Sequence, residues 1–339
     1  MIKNSQLKVA TFNLYNYLAP PDAFYDFQRI YSAEQWAKKQ RWLADYLKNQ
    51  QPDIIGFQEV FSINELKQQV NAQGYPYFAV VDEPTVIDDF IYRDPVVAIA
   101  SRYKIVAVSQ VEAEQDDILA MGLSDNFNFS RSIIRATLEV PHLGHVDCYV
   151  VHFKSKRSML HHQDDESHSE QQNLVMQLKS QALGRWASSM QRGSEAALLL
   201  VEIIKRRAHT NNPVIVMGDF NNELHDGVLN HLIADHLRFS GHSQNSPSRS
   251  EFKLQDSWQL YQRHVVTEND REATHYFGSS SSVFDYILLS REFDAGFQGS
   301  FFEVVDYHTY DQHLINPQFA YDDQSTDHGV VMVTMKLRS

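Results

Sequence analysis

Asp219 and Asn221 stand in the stretch PVIVMGDFNNE, where an apolar run from Pro213 to Met217 stops at Gly218 and releases a carboxylate and a carboxamide two positions apart. On an extended chain that spacing puts both side chains on one side. A buried strand that ends in Gly and is followed by paired polar groups is how open α/β proteins present chemistry at the carboxyl edge of a sheet. Taken alone, GDFN serves equally well as a turn, because Asp and Asn both bond their own backbone.

Five other blocks repeat the arrangement of polar residues at the end of an apolar run. In LKVATFNLYN, Val9, Thr11 and Asn13 share a face, so Asn13 emerges where the strand ends. PDIIGFQEVF delivers Gln58 and Glu59. In VDCYVVHFKSK, Val146, Cys148, Val150 and His152 alternate and bring an imidazole to the strand end. SVFDYILLS holds Asp285 within a strand, and QSTDHGVVMVTM sets Asp327 and His328 just before the last one. Singly, Asn13 reads as a turn residue, Glu59 as a surface carboxylate, His152 as a core histidine and Asp327 as a capping acid. Asp285 differs, because an acid between Phe284 and Tyr286 needs a partner if it faces inward, and histidine is the natural one.

The elements that must position these groups are mostly strands. Runs at Lys8–Leu14, Asp53–Phe57, Tyr77–Val81, Val96–Ala100, Ile105–Val111, Ile133–Val140, Val146–His152, Val214–Met217, Val283–Leu289 and Val330–Leu337 have strand composition or alternation. Ser32 and Gln35 form a capping box ahead of a helix whose stripe is Trp36, Leu43, Tyr46 and Leu47. Glu170 to Arg207 reads as helix broken near Gly193, and Asp226–His236 as a short helix. Strands outnumber helices and do not alternate with them regularly, so the expected α/β (α+β) fold is two mixed sheets packed face to face with helices outside. Ser155–Ser169, with three histidines and several acids, is expected to be a solvated loop rather than a metal tract, and His242–Ser250 a second loop.

With 339 residues, 43% of them hydrophobic, and no linker-like stretch, a single domain over 1–339 is expected. The formal charge of −13 argues against a broad basic face for passive nucleic-acid binding, yet leaves room for a local metal site that accepts phosphate. No run is long and apolar enough for a membrane span. The amino terminus has no leader-like apolar region and Cys148 is the lone cysteine, so a reducing, cytoplasmic location is expected. No obligate protein partner is implied.

In order and spacing, the six blocks resemble the endonuclease/exonuclease/phosphatase superfamily of metal-dependent phosphoesterases, from Lys8 to about Lys336, with GDFN and the terminal Asp-His pair as the most specific parts. The resemblance implies a four-layered sandwich with the site at one edge of the central sheets. It implies that Glu59 is the principal ligand of Mg²⁺ or Mn²⁺, with Asn13 and Asp327 beside it; oxygen ligands suit such hard cations. It further implies that Asp219 orients or deprotonates the attacking water and Asn221 holds a phosphate oxygen. His328, paired with Asp285, would contact the scissile phosphate, and His152 would protonate the leaving oxygen. Arg131 and Lys154, with Lys156 nearby, are candidate substrate contacts.

The expected activity is hydrolysis of a phosphodiester by activated water, with nucleic acid as substrate. The alternatives are a small phosphorylated molecule, a phospholipid head group, or an inactive binding module on the same fold. A scarcity of candidate exposed aromatic hairpins weighs against the lipid version. Tyr15 occupies a position where some nucleases of the group carry an acid, and Tyr15–Tyr31 has no family role, which suggests a loop on the substrate side.

Overall fold

Eight of the strands expected from the sequence bury one face against another set of strands. The computed structural model describes residues 5–163, 166–233, 251–265 and 270–338. One six-stranded sheet has the order Phe302–Tyr310, Val330–Leu337, Gln6–Tyr17, Ile54–Val60, Val96–Ser101, Tyr77–Ala79. The other runs Leu254–Asp256, Asp285–Ser290, Val214–Asp219, Gly144–His152, Ile134–Val140, Ile105–Gln110. Both are mixed: Gln6–Tyr17 lies parallel to Ile54–Val60, and Gly144–His152 parallel to Val214–Asp219.

Period-two alternation assigns each face. Val9, Ile54, Val146, Cys148, Val150, Ile215, Met217, Ile287, Leu289, Val331 and Val333 meet in the core between the sheets. The intervening residues of the first sheet, Ala10, Phe12, Ile55 and Phe57, pack outward against Trp42, Leu43, Tyr46 and Leu47 of the helix Ala33–Gln50. That helix starts with the expected capping box at Ser32. Tyr149, Val151, Val214 and Val216 of the second sheet pack outward against Ala196, Leu199 and Ile203 of the helix Glu170–Thr210. Helix, sheet, sheet and helix thus stack in four layers.

Several expectations change. Glu170–Thr210 is one helix of 41 residues and does not break at Gly193. An interior Gly costs only about 1 kcal/mol relative to Ala, and the burial of Ala196, Leu199 and Ile203 on the sheet outweighs that. The strand Phe302–Tyr310 was not expected; its register shifts between Val304 and Asp306, so the alternation in FEVVDYHTY is interrupted. Around Asp226–His236 the regular structure is a single 3₁₀ turn, Asn230–Ile233, and the remainder beyond 233 lies outside the described residues. His242–Ser250 and residues 164–165 also lie outside them.

Two small additions flank the open edge. A three-stranded sheet joins Ala23–Phe24, Ile91–Arg93 and Thr85–Ile87. A hairpin of His275–Phe277 and Ser280–Ser282 turns at Gly278, whose φ of 60° suits glycine, and carries Phe277 at 82% exposure. An exposed aromatic hairpin is therefore present after all. Among the described residues, no helix is long and apolar enough to cross a membrane.

Candidate active site

The alternation that builds the core also builds the site. Residues 215 and 217 face the opposing sheet, so Asp219 does too; the same parity carries 148 and 150 to His152, 289 and 287 to Asp285, and 9 and 11 to Asn13. Strand register aligns these ends. His152 is the Cα partner of Asp219, and Asp219 is the partner of Asp285, so three chemically active side chains lie in a row across three neighbouring strands. From the facing sheet Asn13 reaches across and donates from Nδ2 to Asp219 Oδ2 at 3.1 Å.

Gly218 is required beside them. A Cβ there would lie 2.0 Å from the Val151 carbonyl oxygen, and φ is +154°. The two strands can approach at the level of His152 and Asp219 only without a side chain at this point.

Glu59 arrives by a different route. Alternation would send it outward with Ile55 and Phe57, while Gln58 pairs in register with Asn13 and accepts from Thr11 Oγ1. The ladder shifts between Phe57 and Val60 on one side of this strand and between Asn13 and Tyr17 on the other. At the irregularity Glu59 has a φ of 60°, with Tyr15 and Asn16 also at positive φ. A bulge re-aims a side chain, and here the Glu59 carboxylate turns back to accept from the Asn16 amide at 2.9 Å and approach Asn13 Nδ2 at 3.5 Å.

The loop ahead of the last strand brings Asp327 and His328. Thr326 Oγ1 donates to the Asn13 carbonyl at 2.6 Å, His313 Nε2 lies 2.9 Å from the His328 carbonyl, and Lys39 Nζ donates to the Ser325 carbonyl at 2.8 Å. Lys39 is buried, and desolvation pulls its ammonium down to about 7 against the attraction of Asp327 and Glu59. His328 Nδ1 sits 2.8 Å from Asp285 Oδ2, with Nε2 at 3.8 Å from Asp219 Oδ2. His152 Nε2 is 3.5 Å from the same Asp219 oxygen.

The two imidazoles are electrostatically opposite. Burial opposes charge on His328, but the carboxylates of Asp285 and Asp219 outweigh it and hold the ring well above the usual histidine range. Burial, then the charges of Arg131, His328 and Lys154, hold His152 well below it. Burial also raises Asp219, with His328 pulling it back down, and burial followed by repulsion from Asp327 raises Glu59.

Most of these groups border one cleft of about 550 Å³. Glu59, His152, Asp219, Asn221, Asp327, His328 and Arg131 line it, while Asp285 and Asn13 lie buried behind its floor. Asn221, at a φ of 52°, donates its backbone amide to Asp219 Oδ1 at 2.7 Å and its side-chain amide to the Phe153 carbonyl and Asp219 Oδ2. Lys154 does not line the cleft; Lys156 and Arg157 do. The segment 155–158 is therefore part of the wall, and the histidines further along the 155–169 stretch join no candidate metal cluster among the described residues. Tyr15 and Tyr25 place the unassigned 15–31 stretch at the cleft, as expected.

Sequence reasoning missed His275, which bridges to His328 with ring centroids 5.1 Å apart, and Arg29, Arg157 and Arg185 on the cleft wall. None of these ends an apolar run, so the signal that found the other residues is silent for them. Two sets of groups lie close enough to share an ion: His275, Asp327 and His328, and Asp219, Asp285 and His328. Glu59 belongs to neither set.

The match to the Endonuclease/Exonuclease/phosphatase family model runs over residues 10–328. No curated protein matches the chain in sequence. Similar solved structures include the catalytic domain of human Nocturnin, at 17% identity and TM-score 0.57 with 98% of this chain and 95% of that one covered. A humanised TDP2 from D. rerio has 14% identity and TM-score 0.57, covering 98% and 99%. ANGEL2, described as a 2′,3′-cyclic phosphatase, has 14% identity and TM-score 0.57, covering 98% and 95%. These likenesses show the fold alone. The family match across nearly the whole sequence decides membership: the chain belongs to the Endonuclease/Exonuclease/phosphatase family, whose members are hydrolytic phosphoesterases.

Proposed function

We propose that this chain, as one domain over 1–339, hydrolyses a phosphodiester by water attack with the help of a divalent cation, and that the ester belongs to a nucleic acid. The observation that carries the reading is the convergence of Glu59, Asn13, Asp219, His152, His328 and the buried Asp285 at one cleft from both sheets.

The residues fit a hard cation. Glu59 accepts only from neutral amides, Asp327 has a buried Oδ1 with no partner, and neither forms an ion pair among the described residues. A carboxylate such as Glu59, disfavoured as the anion by burial and by its acidic neighbour Asp327, is relieved by a bound positive charge. Glu59 and Asp327, with Asn13 beside them, would hold Mg²⁺ or Mn²⁺. Such an ion, when bound, neutralises phosphate oxygens and polarises the ester.

The chain's own groups do the rest. Asp219, raised toward neutrality by burial, accepts the proton of the attacking water as its oxygen bonds to phosphorus. Asn221 already directs its amide to Asp219 and Phe153, so it holds that carboxylate in place rather than gripping phosphate. Asp285 fixes the tautomer and charge of His328. As the charged imidazole, His328 is the better donor to the departing oxygen, a role the sequence resemblance gave to His152. Arg131, whose Nε is buried without a partner, faces the same cleft and would meet a non-bridging oxygen.

A second reading, a phospholipid head group, is favoured by exposed Phe277 at the cleft and by exposed Leu178, Leu183 and Trp186 on the long helix. One panel separates the readings: protein with Mg²⁺ or Mn²⁺ is offered plasmid, single-stranded DNA, RNA, phosphatidylcholine vesicles, bis(p-nitrophenyl) phosphate and p-nitrophenyl phosphate, beside an Asp219→Ala control. Cleavage of polymer and diester, lost in the control, is expected. Turnover of the monoester alone means a phosphatase, turnover of vesicles alone a lipid enzyme, and no turnover at all ends the proposal.

A further inference from the structure

The protein carries a net charge of −13, yet one cleft gathers Arg29, Arg131, Lys156, Arg157 and Arg185. They come from separate places in the chain: the 15–31 stretch, the approach to the strand Ile134–Val140, the segment after His152 and the long helix. Arg29 pairs with Asp26, and Lys156 lies 4.6 Å from the centre of the Phe284 ring. Arg157 and Arg185 are different. Their side chains are exposed and form no hydrogen bond or ion pair among the described residues.

Their placement is built, not accidental. The segment bearing Arg157 is docked onto the long helix: Ser188 Oγ donates to the Arg157 carbonyl at 2.5 Å, Met159 N to the Gly184 carbonyl at 3.2 Å, and Ser158 Oγ to the Ser180 carbonyl at 3.3 Å. Gly184 permits the contact, since a Cβ there would come within 1.9 Å of Ser158 Oγ. Arg185 follows that glycine directly. The two arginines thus line the same cleft from segments docked on each other, and neither forms an ion pair among the described residues.

They also stand apart from the cation nearest the acids. Arg131 acts on Glu59 and His152, whereas neither Arg157 nor Arg185 is among the charges that act on those two; Arg157 shares Tyr25 and Lys154 with Arg131, and Arg185 acts on Lys156. Arg131 serves the reacting phosphate in the function proposed above, which leaves Arg157 and Arg185 facing something else anionic. On the same cleft, Phe277 offers an exposed ring, a surface on which a base stacks.

Resting on that proposed function, we propose that Arg157 and Arg185 form a second anion subsite that takes the phosphoryl group neighbouring the scissile one, so that the preferred substrate is a short, terminally phosphorylated nucleotide chain. Paired guanidiniums hold phosphate oxygens in a planar, bidentate fashion. An acidic exterior disfavours the approach of a long polymer more than that of a short one.

The test compares kcat/KM of the full chain, with Mg²⁺, on a thymidine dinucleotide that is bare, 5′-phosphorylated or 3′-phosphorylated. One terminal phosphate is expected to raise kcat/KM by about 10- to 100-fold. In the Arg157→Gln/Arg185→Gln variant that ratio should fall below about 3; the single Arg185→Gln variant stands in if the double one fails to fold. Equal rates for all three substrates, or an advantage that survives the substitutions, overturn the subsite. If no dinucleotide is cleaved, the hydrolytic reading fails separately, and calorimetric titration with tripolyphosphate decides the subsite: binding lost in the variant supports it, and no binding to the unaltered chain overturns it.

Discussion

His152 and Asp219 are register partners on adjacent parallel strands, with Nε2 and Oδ2 3.5 Å apart. Because His328 Nε2 lies 3.8 Å from the same oxygen, Asp219 is flanked by one imidazole held neutral and one held charged. An acid and a base kept in different protonation states at one place is the condition for proton transfer at ordinary pH.

Asp219→Asn is expected to lower kcat on a diester by about 10²–10⁴-fold while leaving the melting temperature unchanged or higher. The second half follows from burial, which penalises the native carboxylate. Calorimetry and steady-state rates on one preparation check both; a variant that keeps its rate removes Asp219 from the chemistry.

Asp285 touches His328, not the cleft. Asp285→Asn should therefore lower kcat with little change in KM, by about 10–100-fold on the scale of lost orienting partners. NMR of the His328 ring should show its protonation moving to lower pH, since Asp285 and Asp219 are what raise it. A ring titrating as before would deny Asp285 its positioning role.

Chelation should abolish turnover, and Mg²⁺ or Mn²⁺ restore it. Binding to the folded state alone stabilises by about 2.7 kcal/mol at a hundredfold excess over Kd, so a thermal upshift should accompany the ion. Glu59→Gln should melt at least as high as the unaltered chain without metal, because an uncompensated buried acid is gone, yet show no upshift with it. An undiminished upshift would place the ion elsewhere.

At the far end of the long helix, Arg207 donates to both Glu292 oxygens, at 2.9 and 3.3 Å, with the Arg side chain only 4% exposed. Removing one partner of such a pair typically costs about 3–5 kcal/mol, so Glu292→Ala should lower the urea midpoint strongly. Burial, the largest single influence, would raise Glu292, but the hydrogen bond and charge of Arg207 together with the Ser290 hydroxyl outweigh it, and its pKa is lowered. For an acid depressed on folding, the stabilisation is present above its unfolded pKa and is lost as pH falls through the folded one. Below about pH 4.3, the unaltered chain should lose stability more steeply than Glu292→Gln; parallel curves would refute the linkage.

What the order of residues determines is what period two can express. Alternation in VDCYVVHF, VIVMGD and LKVATFN places His152, Asp219 and Asn13 at the inner ends of strands, and the core and the helix capped at Ser32 follow from the same pattern. Tertiary structure decides what alternation cannot carry. Glu59 points the wrong way by parity and is turned inward by a bulge whose cause lies in two neighbouring strands. His275 reaches His328 through a bridge between segments far apart in sequence, and Arg157 and Arg185 come to line one cleft because Gly184 lets a loop rest on a helix. Local periodicity comes from the geometry of a single strand, whereas a ligand cluster depends on register between strands, which packing alone selects.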